Sequence, residues 1–96
     1  MFEWDPLKAA ANLAKHGVSF EEATTVFQDA RALDGSDIEQ STSEARRLHL
    51  GKSILHRILV VAYTMRRHDD EQEAIRLISA RRASRKECKA YTRPAN

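Results

Sequence analysis

Ninety-six residues, 42% hydrophobic and 31% charged, fit one soluble globular domain with a single modest core. No apolar run approaches the roughly 20 residues of a membrane span, and the only cysteine, Cys88, cannot form an internal disulfide. The net charge of +2 conceals an uneven distribution: residues 1–45 carry three Lys and Arg against nine carboxylates, residues 46–96 thirteen against five, so the halves stand at −6 and +8. That asymmetry fits either a face for an anionic polymer or two solvated surfaces that balance each other. Met1 leads straight into the charged stretch 3–8, so no signal peptide is expected, and with the lone cysteine this favours a cytoplasmic setting.

Residues 1–4 read as a strand stub or packing arm. Asp5 and Pro6 suit the N-cap and first position of a helix, which runs to about Lys15 with Leu7, Ala10, Ala11 and Ala14 at helical spacing. Gly17 marks its end, and His16 suits the negative end of the helix dipole. Ser19 and Glu22 form a capping box, with Val18 and Ala23 as a staple, for a second helix over about residues 20–28 that buries Phe20, Ala23 and Phe27. The short link makes the two an αα-hairpin. Residues 32–33 suggest a short strand, and residues 34–43 a polar loop, the segment expected to move most.

From Glu44 the period becomes two. Arg46, Leu48 and Leu50 alternate with Arg47, His49 and Gly51, a half-buried strand ending in a turn near residues 51–53. Residues 57–65 are apolar on both faces, as a central strand is. Residues 67–71 form a charged hairpin loop. Ile75, Leu77 and Ile78 open a last strand that runs into Arg81 and Arg82. Ser84 with Glu87 is then a complete capping-box signature for a C-terminal helix carrying Arg85, Lys86, Lys89 and Tyr91. The order predicts an α+β fold: two N-terminal helices, a four-stranded antiparallel meander and a C-terminal helix.

The histidines and Cys88 show no close ligand spacing, and there is neither a glycine-rich phosphate loop nor a nucleophile elbow. No metal or cofactor is therefore expected. The basic residues are the stronger signal. With Leu48 and Leu50 toward the helices, Arg47 and His49 would face the open side of the sheet. Arg76, opposite Ile75 and Leu77, would join them, with Arg66 and Arg81 closing their strands. Such a face could bind bent RNA, with Arg82, Arg85 and Lys89 adding charge, or could simply be solvated arginines. Arg76 and Arg81 lie in or beside apolar sequence, where a charge costs desolvation unless it is paired. Cleavage of RNA by its own 2′-OH needs a proton removed, a proton delivered and the crowded phosphate stabilised. Arginine suits only the last. His49 or Tyr91 could move protons, while Tyr91 could equally stack on a base or pack on the sheet.

Three stretches together resemble the BrnT-type toxins: Phe2-Glu3-Trp4-Asp5 with Lys8, Asn12 and Lys15-His16-Gly17-Val18-Ser19-Phe20; Val60-Val61-Ala62-Tyr63-Thr64-Met65-Arg66; and residues 75–83 with Arg85, Glu87 and Tyr91. The resemblance implies the toxin of a bacterial type II toxin–antitoxin system, with a RelE-like fold and metal-independent endoribonuclease activity. It also implies a BrnA-type ribbon-helix-helix antitoxin that neutralises it and represses the shared operon through operator DNA, with a homodimer within the complex as one arrangement. By position it implies Arg46, Arg66, Arg76, Arg81 and Tyr91 as site residues. Three positions depart from the family pattern: Met65 stands where a glutamate is common, Arg47 where an aromatic is usual, and Ala30 where a proline often follows the second helix. A second reading, from another class, is a non-catalytic RNA- or partner-binding module that serves as co-repressor with its antitoxin.

Overall fold

The computed structural model describes residues 1–36 and 45–93. Along the chain these form β1 (Phe2–Glu3), α1 (Pro6–His16), α2 (Phe20–Thr25) running into a 3₁₀ turn (Val26–Gln28), β2 (Leu33–Ser36), β3 (Arg47–Lys52), β4 (Ile58–Arg67), β5 (Glu73–Arg82) and α3 (Arg85–Thr92). The expected α+β class holds, but the sheet has five strands in the order β1-β5-β4-β3-β2 and is mixed rather than purely antiparallel. The difference is the N-terminal stub. Phe2 and Glu3 pair in parallel with Ile75 and Arg76, and Ile75 N–H donates to the Met1 carbonyl at 2.8 Å. At the other edge, residues 34–36, expected in a loop, extend β2. The rest of that loop, and Glu44, lie outside the described residues.

Local signals set most element ends. The Asp5 side chain accepts from Leu7 N–H at α1, and Gly17 ends it with φ 69°, a conformation glycine adopts without steric cost. Ser19 caps α2, yet Glu22 does not return the bond as a capping box would. Its buried carboxylate instead takes Ser53 Oγ at 2.7 Å and Arg57 Nε at 3.0 Å. The second helix is also shorter than its apolar spacing predicts. Thr24 and Thr25 turn their hydroxyls back to the carbonyls of Glu21 and Glu22, and such back-bonding bends a helix.

The helices cover one sheet face. Val18, Phe20, Ala23 and Val26 meet Leu59, Val61 and Tyr63 of β4 and Leu77 and Ala80 of β5, with Phe2, Trp4 and Phe27 packed around them. Helix α1 presents Ala9, Asn12 and His16 to the protein, while Leu7, Ala10, Ala11 and Ala14 are exposed, Leu7 at 81%. Its apolar repeat thus faces outward. What holds it is polar: Asn12 Oδ1 accepts from Ala80 N–H at 3.0 Å, and Asn12 Nδ2 donates to the Ala80 carbonyl at 2.8 Å and the Val18 carbonyl at 3.0 Å.

Strand β3 lies the other way round from the sequence expectation. Gly51 sits against the helical layer, where an added Cβ would meet Val26 O and Ala32 Cβ at 3.1 Å. Period two then sends His49 and Arg47 to the same side, and Leu48 and Leu50 pair with Ala62 and Val60 on the far face. Strand β4 is apolar on both faces, as expected: Leu59 and Val61 lie under the helices, and Val60 and Ala62 on the far side are also buried. Helix α3 returns over that far face, where Glu87 meets Leu48, Leu50 and Val60 around a groove of about 310 Å³. Between Ala62 and Tyr63 the β4–β5 register slips, leaving Ile78 of β5 with no residue opposite it.

Replacing Asn12 by alanine should leave the Ala80 N–H and two buried carbonyls without their side-chain partner. Each buried polar group left unpaired costs roughly 1–3 kcal/mol. Urea denaturation of Asn12→Ala should show a loss of about 2–4 kcal/mol, and a loss under about 0.5 kcal/mol, typical of an indifferent surface change, would rule out the amide as the tie between α1 and the sheet.

Candidate functional site

Strand register decides which arginines stand together, because residues opposite one another in a ladder share a face. Arg81 lies opposite Val60, Arg76 opposite Thr64, and Arg66 opposite Ala74. Val60, Thr64 and Arg66 are spaced by even numbers along β4, so Arg66, Arg76 and Arg81 share the face turned away from α1 and α2. Arg46 immediately precedes β3. Its neighbour Ala45 accepts from Thr64 Oγ1 at 3.1 Å, which draws this segment to the same part of the sheet, and Arg46 Nε is buried without a hydrogen-bond partner. A cleft of about 450 Å³ opens there, lined by Ala45, Thr64, Met65, Arg66, Arg67 and His68.

Two of these guanidiniums are fixed by carboxylates. Arg81 makes a bidentate pair with Glu87, Nη1 to Oε1 at 2.8 Å and Nη2 to Oε2 at 2.9 Å. Glu87 also accepts from Ser84 N–H, completing the capping box of α3. Arg81 holds the Glu87 carboxyl down to about 2, helped by the Ser84 N–H and opposed by burial. Arg76 Nη1 donates to Glu3 Oε2 at 3.0 Å, and the other oxygen of Glu3 meets His68 Nε2 at 2.5 Å. The hydrogen bond from His68 does most to lower the Glu3 carboxyl below its ordinary range; Arg76 adds to it and partial burial opposes it.

His49 and Arg47 stand on the opposite face, which corrects the expectation that they line the open side. The cause is the Gly51 packing described above. There they converge on Asp34. Arg47 Nε donates to Oδ1 at 2.7 Å, while His49 Nδ1 at 2.8 Å and Tyr63 OH at 2.5 Å meet Oδ2. The imidazole stacks on Phe27 with centroids 4.3 Å apart, and its Nε2 faces the Val26 carbonyl at 3.1 Å. Burial alone would raise the Asp34 carboxyl, but the bonds from Tyr63, His49 and Arg47 outweigh it and hold it low. Tyr91 donates its hydroxyl to Asp29 Oδ2 at 2.5 Å, beside the Lys52 N–H on the same oxygen. This pairing with an anion pushes the phenol up. Arg82 lies opposite Leu59, on the helical side, and Arg85 and Lys89 lie one turn apart on the exposed surface of α3.

Sequence reasoning overlooked Glu3, His68, Asp34 and Asp29, the acceptors and the histidine that organise these basic groups. Glu3 carried a signal: in Phe2-Glu3-Trp4 it is the polar member of an alternating triplet, so it must point away from the aromatic packing. His68, in a polar hairpin, carried none.

A family model described as the ribonuclease toxin BrnT of type II toxin–antitoxin systems matches residues 4–87. The crystal structure of the Brucella abortus ribonuclease toxin BrnT superposes with a TM-score of 0.62 at 23% sequence identity, covering 88% of this chain and 96% of that one. No curated protein matches.

The Arg81–Glu87 pair makes a pH signature that can be measured. Glu87 has a lower value folded, about 2, than its ordinary 4.5. Its contribution to stability is therefore complete above 4.5 and is lost as pH falls toward 2. Denaturation midpoints of Glu87→Gln and the parent chain should differ most near neutral pH and converge across that acid window; a difference that stays constant with pH would show that the ion pair contributes nothing.

Proposed function

Because the chain belongs to the BrnT family of ribonuclease toxins of type II toxin–antitoxin systems, we propose that it is a cytoplasmic endoribonuclease that arrests growth by cutting RNA. Its antitoxin is of the BrnA type, a ribbon-helix-helix protein that silences the toxin and carries the complex to operator DNA. The observation that carries this reading is the common sheet face of Arg66, Arg76 and Arg81, with a cleft at the Arg66 end. Guanidinium forks match phosphate oxygens, and forks already held by Glu87 and Glu3 lose little freedom on meeting a charged phosphate. Preorganised charge of this kind lowers the barrier to attack on phosphorus without reorganisation during the step. Arg46 belongs to the same group; Arg85 and Lys89 extend it along α3 as further phosphate contacts, while Arg47 and Arg82 would reach RNA only from the strand ends.

One observation favours a non-catalytic binding module: Arg76 and Arg81 are both paired to carboxylates, as purely structural arginines are. Cleavage of RNA by purified variants separates the readings. Arg76→Ala and Arg81→Ala should each slow cleavage by about 10²–10³-fold with circular dichroism unchanged, and expression of the parent chain alone should arrest growth with shortened mRNA. Arg81→Lys keeps the charge but loses the fork and should behave more like alanine than like arginine. Full cleavage by both folded alanine variants would return these arginines to a structural role and favour the binding module.

A further inference from the structure

Cleavage by the RNA 2′-OH needs a group to take its proton, and the ring nitrogens of His49 are both turned to protein acceptors, Asp34 and the Val26 carbonyl. The Tyr91 hydroxyl is likewise committed to Asp29. His68 is placed differently. It lines the cleft with Arg66 and Thr64, its side chain is 44% accessible, and only Nε2 is engaged, by Glu3. Resting on the ribonuclease reading above, we propose that His68 is the general base of this site and that Glu3 is its positioning residue.

The chemistry follows from the contact. Glu3 also accepts from Arg76 and its carboxyl is held low, so it is an anion that can only accept. The proton of a neutral imidazole therefore sits on Nε2, and Nδ1 keeps its lone pair. This is the carboxylate–imidazole arrangement that orients a base toward a hydroxyl. In the step itself the 2′-OH proton passes to Nδ1, the 2′ oxygen bonds to phosphorus, and the bond from phosphorus to the 5′ oxygen breaks. The 5′ oxygen takes a proton from water, and the hydroxide so formed removes the proton from Nδ1, which returns His68 to its neutral form. The products are a 2′,3′-cyclic phosphate and a 5′-hydroxyl, and the charge gathered on the phosphate oxygens falls to Arg66 and Arg76.

The test is cleavage of an RNA oligonucleotide by the purified full chain, with folding followed by circular dichroism. His68→Ala should lower kcat by about 10²–10⁴-fold, and imidazole added to the buffer should restore part of that loss while doing nothing for Arg81→Ala. Glu3→Gln should lower kcat with little change in KM, and Lys15→Ala, on the exposed side of α1, should cleave like the parent. A parent that cleaves while His68→Ala cleaves equally well overturns the assignment and leaves the ribonuclease reading standing, as does a loss that imidazole cannot restore. A parent that cuts no RNA removes the ribonuclease reading, and this assignment with it.

Discussion

The carboxamide of Asn12 is the constraint on which the arrangement of this small protein depends. Beyond Arg76, β1 no longer covers the edge of β5, and the backbone of Ala80 would face a helix that cannot complete its ladder. An amide side chain carries a donor and an acceptor in one plane and so stands in for a strand. By bonding Ala80 on both groups and Val18 on one, Asn12 fixes the height of α1 on the sheet and the start of α2 together. Besides Asn12, α1 turns only Ala9 and His16 toward the protein, so apolar burial contributes little to its position.

A second polar tie secures the other end of the helical layer. Glu22 lies at the start of α2, and Arg57 and Ser53 close the turn between β3 and β4. Arg57 also reaches the Gly17 carbonyl at 3.1 Å. Breaking a buried pair of this kind leaves an uncompensated charge at a cost of about 3–5 kcal/mol, so the contact ties α2 and the helix link to the turn. The hydrogen bonds of Asp29 to Lys52 N–H and Tyr91 do the same for the 3₁₀ turn, the end of β3 and α3. Carboxylates thus join segments distant in sequence, and the acidic N-terminal half and basic C-terminal half complement each other within one molecule as well as toward solvent.

Much of this was legible from residues read singly. Asp5-Pro6, Gly17, Ser19 and the Ser84–Glu87 pair act through bonds to their own backbone, and each marks a helix end where expected. The run Ile58–Tyr63 declares a central strand because both its faces are apolar. What failed was the choice of face. Leu7, Ala10, Ala11 and Ala14 have the spacing of a buried stripe, but periodicity says only that residues share a side. The side that docks is the one offering an amide to Ala80. Likewise Leu48 and Leu50 alternate with His49, and either parity would satisfy the pattern, since both sheet faces are partly covered. Gly51 favours the observed parity, because a Cβ there would crowd Val26 and Ala32 at 3.1 Å. A glycine at the end of an alternating run was the available clue. The two-residue β1 was illegible for another reason: a strand so short has no period, and its existence depends on partners more than seventy residues away. The family resemblance, by contrast, rested on short blocks spread over nearly the whole chain, and the match to residues 4–87 agrees with it.

The unpaired Ile78 has a consequence for how the arginine face can vary. Arg76 and Arg81 are five positions apart, an odd interval, which in an uninterrupted strand would send them to opposite sides of the sheet. The extra residue resets the parity, and the two guanidiniums come to stand over Thr64 and Val60, about 13 Å apart along β4 at the usual strand rise. The face therefore behaves as a ruler whose length is set by a count of residues and not by which side chains fill it. Removing Ile78 would bring the two arginines to four positions apart, an even interval that keeps both on this face without a slip in register, so the extra residue can be lost while the arginine face keeps its length.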